Sequence, residues 1–392
     1  MAFNSEKILR EFSKRFGSVP IVVDSPARVN LIGEHTDYND GFVLPAAIDK
    51  KIVLAMAPNR LNKIRLYASD MNKGEYQTEI SNIYKKSELH WPDYILGVID
   101  QLQKRGIIVE GFDCLLGGNI PIGAGLSSSA ALEGGVLKGL KHLFDYNLTR
   151  LEMAKIGQQA ENQFVGVQCG IMDQFANLHG KEGSVIKLDC RNLEFSYHPF
   201  DQRNVEILLF DTNVRRELAS SEYNVRRKQC EEGVRILKKH DSSIKNLRDV
   251  SDNLLERYKN DLTDIVYNRC RYVLDENQRV LDAASDLSAG DIDAFGQRMY
   301  RSHYGLRDQY EVSCRELDLL IEATENLEAV LGARMMGGGF GGCTINLVKT
   351  SESDDVIDAV QDLYTADIGQ KLKYYRATIS DGVRVLEEKV SY

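Results

Sequence analysis

The chain has 392 residues, 43% hydrophobic and 27% charged, a length that predicts more than one domain and a composition that excludes wholesale disorder and collagen-like repeats. Its 58 acidic and 49 basic side chains give a net charge of −9, which argues against nucleic acid as a partner. The longest uncharged window, residues 114–132, is too rich in glycine and serine for a transmembrane helix, and no apolar leader segment precedes the first predicted helix. We therefore expect a cytoplasmic protein with no membrane partner, and we expect it to be a monomer.

The first half of the chain alternates predicted helices with predicted strands. An amphipathic helix comes first, with its apolar residues on one face around Phe12. Strand-like runs follow at residues 21–24, 51–56, 63–68, 112–116 and 184–188. Apolar residues at helical spacing predict a helix over 126–144, and Thr149 with Glu152 forms a capping-box pattern that opens a helix over 153–164.

The second half is dominated by predicted helices. After a strand over 205–210, helices are predicted over 218–239, 264–284, 291–303 and 315–324. A glycine cluster is then followed by a strand at 343–348, a helix at 354–364 and strand-like segments at 374–379 and 383–386. The composition changes near residue 200, and both halves mix helices with strands. The order of elements predicts an α+β protein.

Residues 27–39, ARVNLIGEHTDYN, place an arginine, a glutamate, a histidine and an aspartate in a loop that follows a strand. An arginine fork such as Arg28 can bind anionic oxygens with two hydrogen bonds. The carboxylates of Glu34 and Asp37 and the imidazole of His35 can hydrogen-bond to several vicinal hydroxyls, as a sugar would require. A polar turn with a surface ion pair is the alternative interpretation.

Residues 121–132, PIGAGLSSSAAL, form a glycine loop that runs into a serine-rich first turn of a helix. The free N–H groups of a helix N-terminus attract anions, and glycine lets a phosphate approach the backbone. The segment therefore predicts a phosphate-binding loop, but one without the lysine of the Walker motif. A well-capped helix after a tight turn is the alternative.

Two further segments carry unusual residues. Residues 336–342, MGGGFGG, formally satisfy the dinucleotide-binding pattern G-x-G-x-x-G. That pattern requires a helix after it, whereas a strand is predicted here, so we discount dinucleotide binding. We expect these glycines to form either the wall of a binding site or a flexible loop. Asp173 lies among apolar residues in the run CGIMDQ. Such a carboxylate is either structurally paired or a general base, and its partner would be a cation such as Arg28.

Taken together, these motifs resemble those of the GHMP kinases, a family of ATP-dependent small-molecule kinases. Residues 28–38, RVNLIGEHTDY, are similar to the signature of its galactose-phosphorylating members, residues 123–130 to its serine-glycine loop, and residues 337–342 to its late glycine motif. The resemblance covers most of the chain and keeps the order of the family's motifs.

The resemblance implies an α+β, two-domain GHMP kinase fold with the active site between the halves. A ribosomal-protein-S5-domain-2-like N-terminal domain would span residues 1–200, and a ferredoxin-like C-terminal domain would span 201–375. Residues from about 376 to 392 would return to the first domain.

The resemblance further implies ATP-dependent phosphorylation of α-D-galactose at its C1 hydroxyl, with galactose and ATP as partners and Mg²⁺ as cofactor. Asp173 matches the family's general base, and Arg28 matches the neighbouring arginine that stabilises charge. The residues that match sugar contacts are Glu34, His35, Asp37, Gly170 through its backbone, and Tyr223.

The nucleotide and metal sites follow from the same resemblance. Trp91 matches the aromatic residue next to adenine, although an ordinary core tryptophan is the alternative. The residues that match the phosphate loop are Gly123, Gly125, Ser127, Ser128 and Ser129. Ser127 and Glu161 match the magnesium ligands, and Arg215 resembles a conformation-setting arginine near the site, or is a surface charge.

The chain departs from the family pattern at two positions, and two other functions remain open. Ala27 replaces the usual glycine and disfavours a left-handed backbone, and Met336 replaces a threonine whose hydroxyl could touch the sugar side.

The alternative functions are an N-acetylgalactosamine kinase or other sugar 1-kinase, and a galactose and ATP sensor without turnover. Sensors with this fold lack two residues of the serine loop, whereas residues 127–130 are all present here, which favours an enzyme.

Overall fold

A computed structural model of the protein describes residues 5–70, 74–84, 86–121, 123–214 and 219–386. The helices in these ranges are α1 Ser5–Phe16, α2 Trp91–Lys104, α3 Ser128–Leu143, α4 Arg150–Gln159, α5 Met172–His179, α6 Ala219–Leu237, α7 Asp252–Arg257, α8 Asp264–Ala289, α9 Ile292–Tyr304, α10 Arg315–Glu325 and α11 Ser353–Ile368. The strands are β1 Ile21–Asn30, β2 Phe42–Val43, β3 Pro45–Pro58, β4 Lys63–Ala68, β5 Glu75–Glu79, β6 Phe112–Gly118, β7 Ser184–Asp189, β8 Phe195–Pro199, β9 Val205–Asp211, β10 Val330–Met335, β11 Cys343–Lys349, β12 Lys373–Ala377 and β13 Arg384–Leu386. Single π-helical turns at Ala160–Val165 and Gly305–Gln309 follow α4 and α9.

The first half is built on a six-stranded mixed sheet with the order β13-β1-β3-β6-β4-β5. Helices α2 to α5 pack on one face of this sheet around a large apolar cluster that includes Leu54, Ile95 and Val136. The amphipathic helix α1 covers the other face with Ile8 and Phe12. Because successive strand residues point to opposite faces, the strands contribute side chains to both clusters. Helices therefore cover both faces of the sheet.

The second half is built on a four-stranded antiparallel sheet with the order β10-β11-β9-β12. Leu208 and Phe210 of β9 face a cluster that includes residues of α10 and α11. Ile207 and Leu209, the alternate residues, face a second cluster that contains residues of α8 and α9 and also Val29 of β1. The two halves therefore share one apolar cluster beside the end of β1.

Most predicted elements are confirmed, but seven of the helices and strands in the described residues were not predicted. The strand at Lys63–Ala68 is confirmed, and the Thr149 capping box opens its helix as predicted. The unpredicted elements are α2, α5, α7, β2, β5, β8 and β10. The glycine cluster joins β10 to β11. The strand predicted after it is confirmed, and because no helix follows the cluster, a dinucleotide fingerprint remains excluded.

The last described strand, β13, pairs with β1 at the edge of the first sheet. None of the helices in the described ranges has the length and apolarity needed to cross a membrane.

Candidate active site

Two neighbouring cavities open where the first half of the chain faces α6 and the β10–β11 turn. The polar cavity, of about 410 Å³, is lined by residues that include Arg28, Glu34, His35, Asp37, Glu161, Gly170, Asp173 and Tyr223. The glycine-serine cavity, of about 660 Å³, is lined by residues that include Asp70, Trp91, Tyr94, Gly123, Gly125, Ser127, Ser128 and Ser129. Arg28, Gly337 and Gly338 line both cavities, so the two spaces meet at these residues.

Arg28 and Asp173 form an ion pair at this junction. The pairing of β1 with β3 shifts register between Pro26 and Ala27, immediately before Arg28, and such irregularities re-aim side chains. Arg28 Nε and Nη2 donate to the two carboxylate oxygens of Asp173 at 2.6 and 2.9 Å, and Nη1 donates to the carbonyl of Gly125 at 2.6 Å. Burial alone would lower the pKa of Arg28, but the charge and hydrogen bonds of Asp173, together with the charges of Glu34 and Asp37, outweigh burial and raise the pKa. The pair joins elements 145 residues apart in sequence.

Glu34 and His35 are buried side chains of the loop that follows β1. Glu34 Oε1 accepts a hydrogen bond of 2.8 Å from the backbone N–H of Gly337. His35 has a left-handed backbone at φ 62°, and its Nδ1 lies 2.9 Å from the hydroxyl of Tyr38. Its ring packs against that of Tyr223, with centroids 5.2 Å apart. Burial lowers the pKa of His35 to about 3, so the imidazole is neutral at physiological pH.

Asp37 and Gly170 approach each other closely on one wall of the polar cavity. A Cβ atom added to Gly170 would lie 1.9 Å from Asp37 Oδ2, so any larger residue at this position must displace the Asp37 carboxyl group. Burial raises the pKa of Asp37 to about 7, and the charges of Asp173 and Glu34 act in the same direction. This wall presents a carboxyl group whose charge changes near neutral pH.

The glycine-serine cavity lies at the N-terminus of α3. Gly123 and Gly125 have positive φ angles of 74° and 76°, and Ser127, which precedes the helix, has φ 54°. The Ser127 hydroxyl donates to Asp173 Oδ2, which connects this cavity to the ion pair. The N–H groups of the first helical turn have no intrahelical acceptor and form an anion-binding end.

Comparison with known proteins identifies the family. A galactokinase galactose-binding signature matches residues 10–58, a GHMP kinase N-terminal domain matches 93–181, and a GHMP kinase C-terminal domain matches 283–366. The chain is 41% identical to the galactokinase of Thermotoga petrophila over 92% of this chain and 99% of that relative. It is 40% identical to the galactokinase of Clostridium acetobutylicum over 97% of each chain. The chain belongs to the galactokinase family.

Solved structures agree with this assignment to the galactokinases. The Lactococcus lactis galactokinase complexed with galactose superposes with a TM-score of 0.94 at 35% identity, over 97% of this chain and all of that one. A mevalonate kinase of Methanococcus jannaschii, at 20% identity and a TM-score of 0.66 over 93% and 99% of the two chains, shares the fold alone. The predicted α+β GHMP kinase fold and the prediction of an enzyme are confirmed. The domain limits at residues 200 and 375 stay predictions.

Galactokinases use ATP, and the donor groups at the junction fit the magnesium ion that accompanies it. A hydroxyl from Ser127 and a carboxylate from Glu161 are oxygen ligands, and Mg²⁺ usually takes only one or two protein ligands besides waters and phosphates. Burial and then the charge of Asp173 raise the pKa of Glu161 to about 7. Gln174 Nε2 donates to Glu161 Oε2 at 2.9 Å and to Glu133 Oε2 at 3.0 Å. No group of three or more His, Cys, Asp or Glu side chains in the described residues could hold a metal alone.

All of the predicted site residues of this galactokinase-family chain line one or other of the two cavities, although their roles stay predictions. Arg215 lies outside the described residues. Met336 is buried in the apolar cluster that also contains Leu126 and Cys343, and its effect on the sugar side stays a prediction. Ala27 lies in β1 and needs no left-handed backbone.

The sequence analysis missed several residues that the fold brings to the galactokinase site. Tyr94 lines the glycine-serine cavity beside Trp91, and its spacing of three residues on α2 would have indicated this had the helix been predicted. Gln174 follows Asp173 directly and bridges two carboxylates. Asp70 also lines the glycine-serine cavity, and nothing in its local sequence distinguishes it.

Proposed function

We propose that this protein transfers the γ-phosphoryl group of ATP to the C1 hydroxyl of α-D-galactose, giving galactose 1-phosphate and ADP. The observation that carries the proposal is the Arg28–Asp173 ion pair, which lies where a polar cavity meets a glycine-lined helix N-terminus in a chain of the galactokinase family.

Galactose occupies the polar cavity. The carboxylates of Glu34 and Asp37, the imidazole of His35, the Gly170 backbone and the Tyr223 hydroxyl supply donors and acceptors for its hydroxyl groups. The Lactococcus lactis relative has been crystallised with galactose, which supports this choice of sugar.

ATP occupies the glycine-serine cavity. Its base packs beside Trp91 and Tyr94, and its phosphates lie against Gly123, Gly125 and the serines Ser127, Ser128 and Ser129. Ser127 and Glu161 would hold Mg²⁺ beside the phosphates, where the ion would supply positive charge to offset theirs.

Phosphoryl transfer requires that the sugar hydroxyl be oriented towards the γ-phosphorus. Asp173 accepts the proton of the C1 hydroxyl as that oxygen forms its bond to phosphorus, and the bond from phosphorus to the β-bridging oxygen breaks to release ADP. Arg28 orients the Asp173 carboxylate with two hydrogen bonds and offsets negative charge at the transferred group. Catalysis is then mainly positioning and electrostatic stabilisation.

A sugar panel tests the proposal. ADP release should be measured with MgATP and galactose, N-acetylgalactosamine, glucose, mannose or mevalonate, and the product identified by phosphorus NMR. We expect the highest kcat/KM with galactose and a product phosphorylated at C1. A higher kcat/KM with N-acetylgalactosamine would favour the alternative sugar 1-kinase, and galactose binding without ADP release would favour a sensor.

A further inference from the structure

We propose that Arg334 is a positioning residue for sugar recognition, which fixes Glu34 so that one carboxylate oxygen faces the polar cavity as an acceptor for a substrate hydroxyl. The inference rests on the proposed function in one respect, the contact between Glu34 and the sugar.

Arg334 is a charged side chain with no exposed surface. It lies on β10 and is one of the largest fully buried side chains of the described residues. Its Nη1 donates to the carbonyl of Asn30 at 3.0 Å and lies 3.4 Å from Glu34 Oε1. Its Nη2 is also 3.4 Å from Glu34 Oε1. Arg334 lines neither cavity, and the cavity-lining acidic side chain that it contacts is Glu34.

Glu34 supplies the counter-charge for this guanidinium. A buried arginine is costly unless it is paired, and Glu34 is the one acidic side chain that lies within 4.0 Å of Arg334 in the described part of the chain. Glu34 is itself 3% exposed. Two buried charges of opposite sign therefore hold the loop after β1 against β10, a contact between the two halves of the chain.

The two oxygens of Glu34 are in different surroundings. Oε1 is held by the N–H of Gly337 at 2.8 Å and by Arg334. Oε2 accepts no hydrogen bond from the described residues, and Glu34 lines the polar cavity. An ionised carboxylate has acceptors only, so Oε2 can accept a hydroxyl proton but cannot donate one. Arg334 thus selects which oxygen of Glu34 faces the cavity.

The test compares binding of galactose and its 2-, 3-, 4- and 6-deoxy analogues, measured by calorimetry without nucleotide. Glu34→Gln should show which hydroxyl of the sugar Glu34 contacts. Removing that hydroxyl from galactose should weaken binding less in this variant than in the wild type. We expect Arg334→Met to weaken galactose binding about 10- to 100-fold and to reduce the penalty at the same hydroxyl. In turnover assays Arg334→Met should raise KM far more than it lowers kcat, and Arg334→Lys should recover part of the affinity.

Two controls separate positioning from loss of folding. Arg65→Met breaks an ion pair with buried Asp113 in the first sheet, and neither residue lines either cavity. This variant should lower stability without changing the relative affinities for galactose and its deoxy analogues. The double variant Glu34→Gln with Arg334→Met removes both buried charges, so it should be more stable than either single variant and should bind galactose no more weakly than Glu34→Gln.

The outcomes are distinguishable from failure of the proposed function. A uniform loss of affinity for all analogues in Arg334→Met, with the hydroxyl pattern of the wild type intact, would overturn the inference. A Glu34→Gln variant with an unchanged pattern would overturn both the inference and the proposed sugar contact. The predicted pattern in a protein that binds galactose but releases no ADP would support the inference and contradict only the proposed function.

Discussion

Asp37 is a carboxyl group whose pKa rises from 3.8 to about 7, because burial and the nearby charges of Asp173 and Glu34 disfavour its ionised form. Between these two pH values the folded state holds a proton that the unfolded state releases. The contribution of Asp37 to folding stability therefore falls as the pH rises from about 4 to about 7, and it is constant above that range.

We expect the variant Asp37→Asn, which cannot ionise, to gain stability over the wild type as the pH rises from 5 to 7, and the gain to level off by pH 8. The measurement is the free energy of unfolding in urea at each pH without sugar. As a control, Asp201 is exposed and its pKa is lowered to about 2 by hydrogen bonds from Arg203, so Asp201→Asn should give a difference that is flat above pH 5. A gain from Asp37→Asn that did not vary with pH would refute the raised pKa.

A second prediction concerns Gly170, which lies beside Asp37 in the wall of the polar cavity. The Cβ of Gly170→Ala would overlap Asp37 Oδ2 and must displace that carboxylate. We expect kcat/KM for galactose to fall about 10²-fold, the usual effect of misplacing a binding group by about 1 Å. ATP affinity and the thermal unfolding midpoint should change little. Unchanged kinetics in this variant would mean that Asp37 does not contact the sugar.

The elements around the junction are joined by Gln174, which connects α5 to α3 and to the π-helical turn through the carboxylates of Glu133 and Glu161. Gln174→Met keeps the side-chain volume but leaves both buried carboxylates without this donor, at a cost of about 1–3 kcal/mol. We expect lower stability and a several-fold higher Mg²⁺ concentration for half-maximal stabilisation by MgATP in thermal unfolding.

Gln101 is a matched control for this prediction. It is also buried, it donates to Gln163 Oε1 at 3.0 Å, and it lines neither cavity. Gln101→Met should lower stability without changing the Mg²⁺ requirement. If both variants changed that requirement equally, Gln174 would have no specific connection to the metal site.

Local patterns predicted some elements well and failed for those that depend on tertiary contacts. The Thr149–Glu152 capping box is a pattern of four residues, and the structure contains it as predicted. Strand β10 contains Gly332, which weakens a strand pattern. The structure explains this glycine, because a Cβ there would lie 2.3 Å from the Cα of Gly296 on α9. Only the packing of α9 on β10 requires it, and a single sequence does not show that packing.

The arrangement of the whole site could be predicted only in part. The residue types of the loop after β1 indicated a sugar, and the glycine-serine loop indicated a phosphate. The sequence pattern left Asp173 as either a structural partner or a base, since its pairing with Arg28 depends on how α5 packs against β1. The resemblance to a known family indicated the Arg28–Asp173 pair. The cavities around the pair are brought together by the apolar cluster that the two halves share.

The rate of ADP formation by Asp173→Asn at saturating galactose and MgATP tests the central claim most directly. Asparagine keeps the size of the side chain but is a poor proton acceptor, so we expect kcat to fall by about 10²- to 10⁴-fold, the usual contribution of a general base. Galactose binding, measured by calorimetry on the same protein, should be retained within about tenfold. A kcat close to that of the wild type would contradict the role of Asp173 as the base.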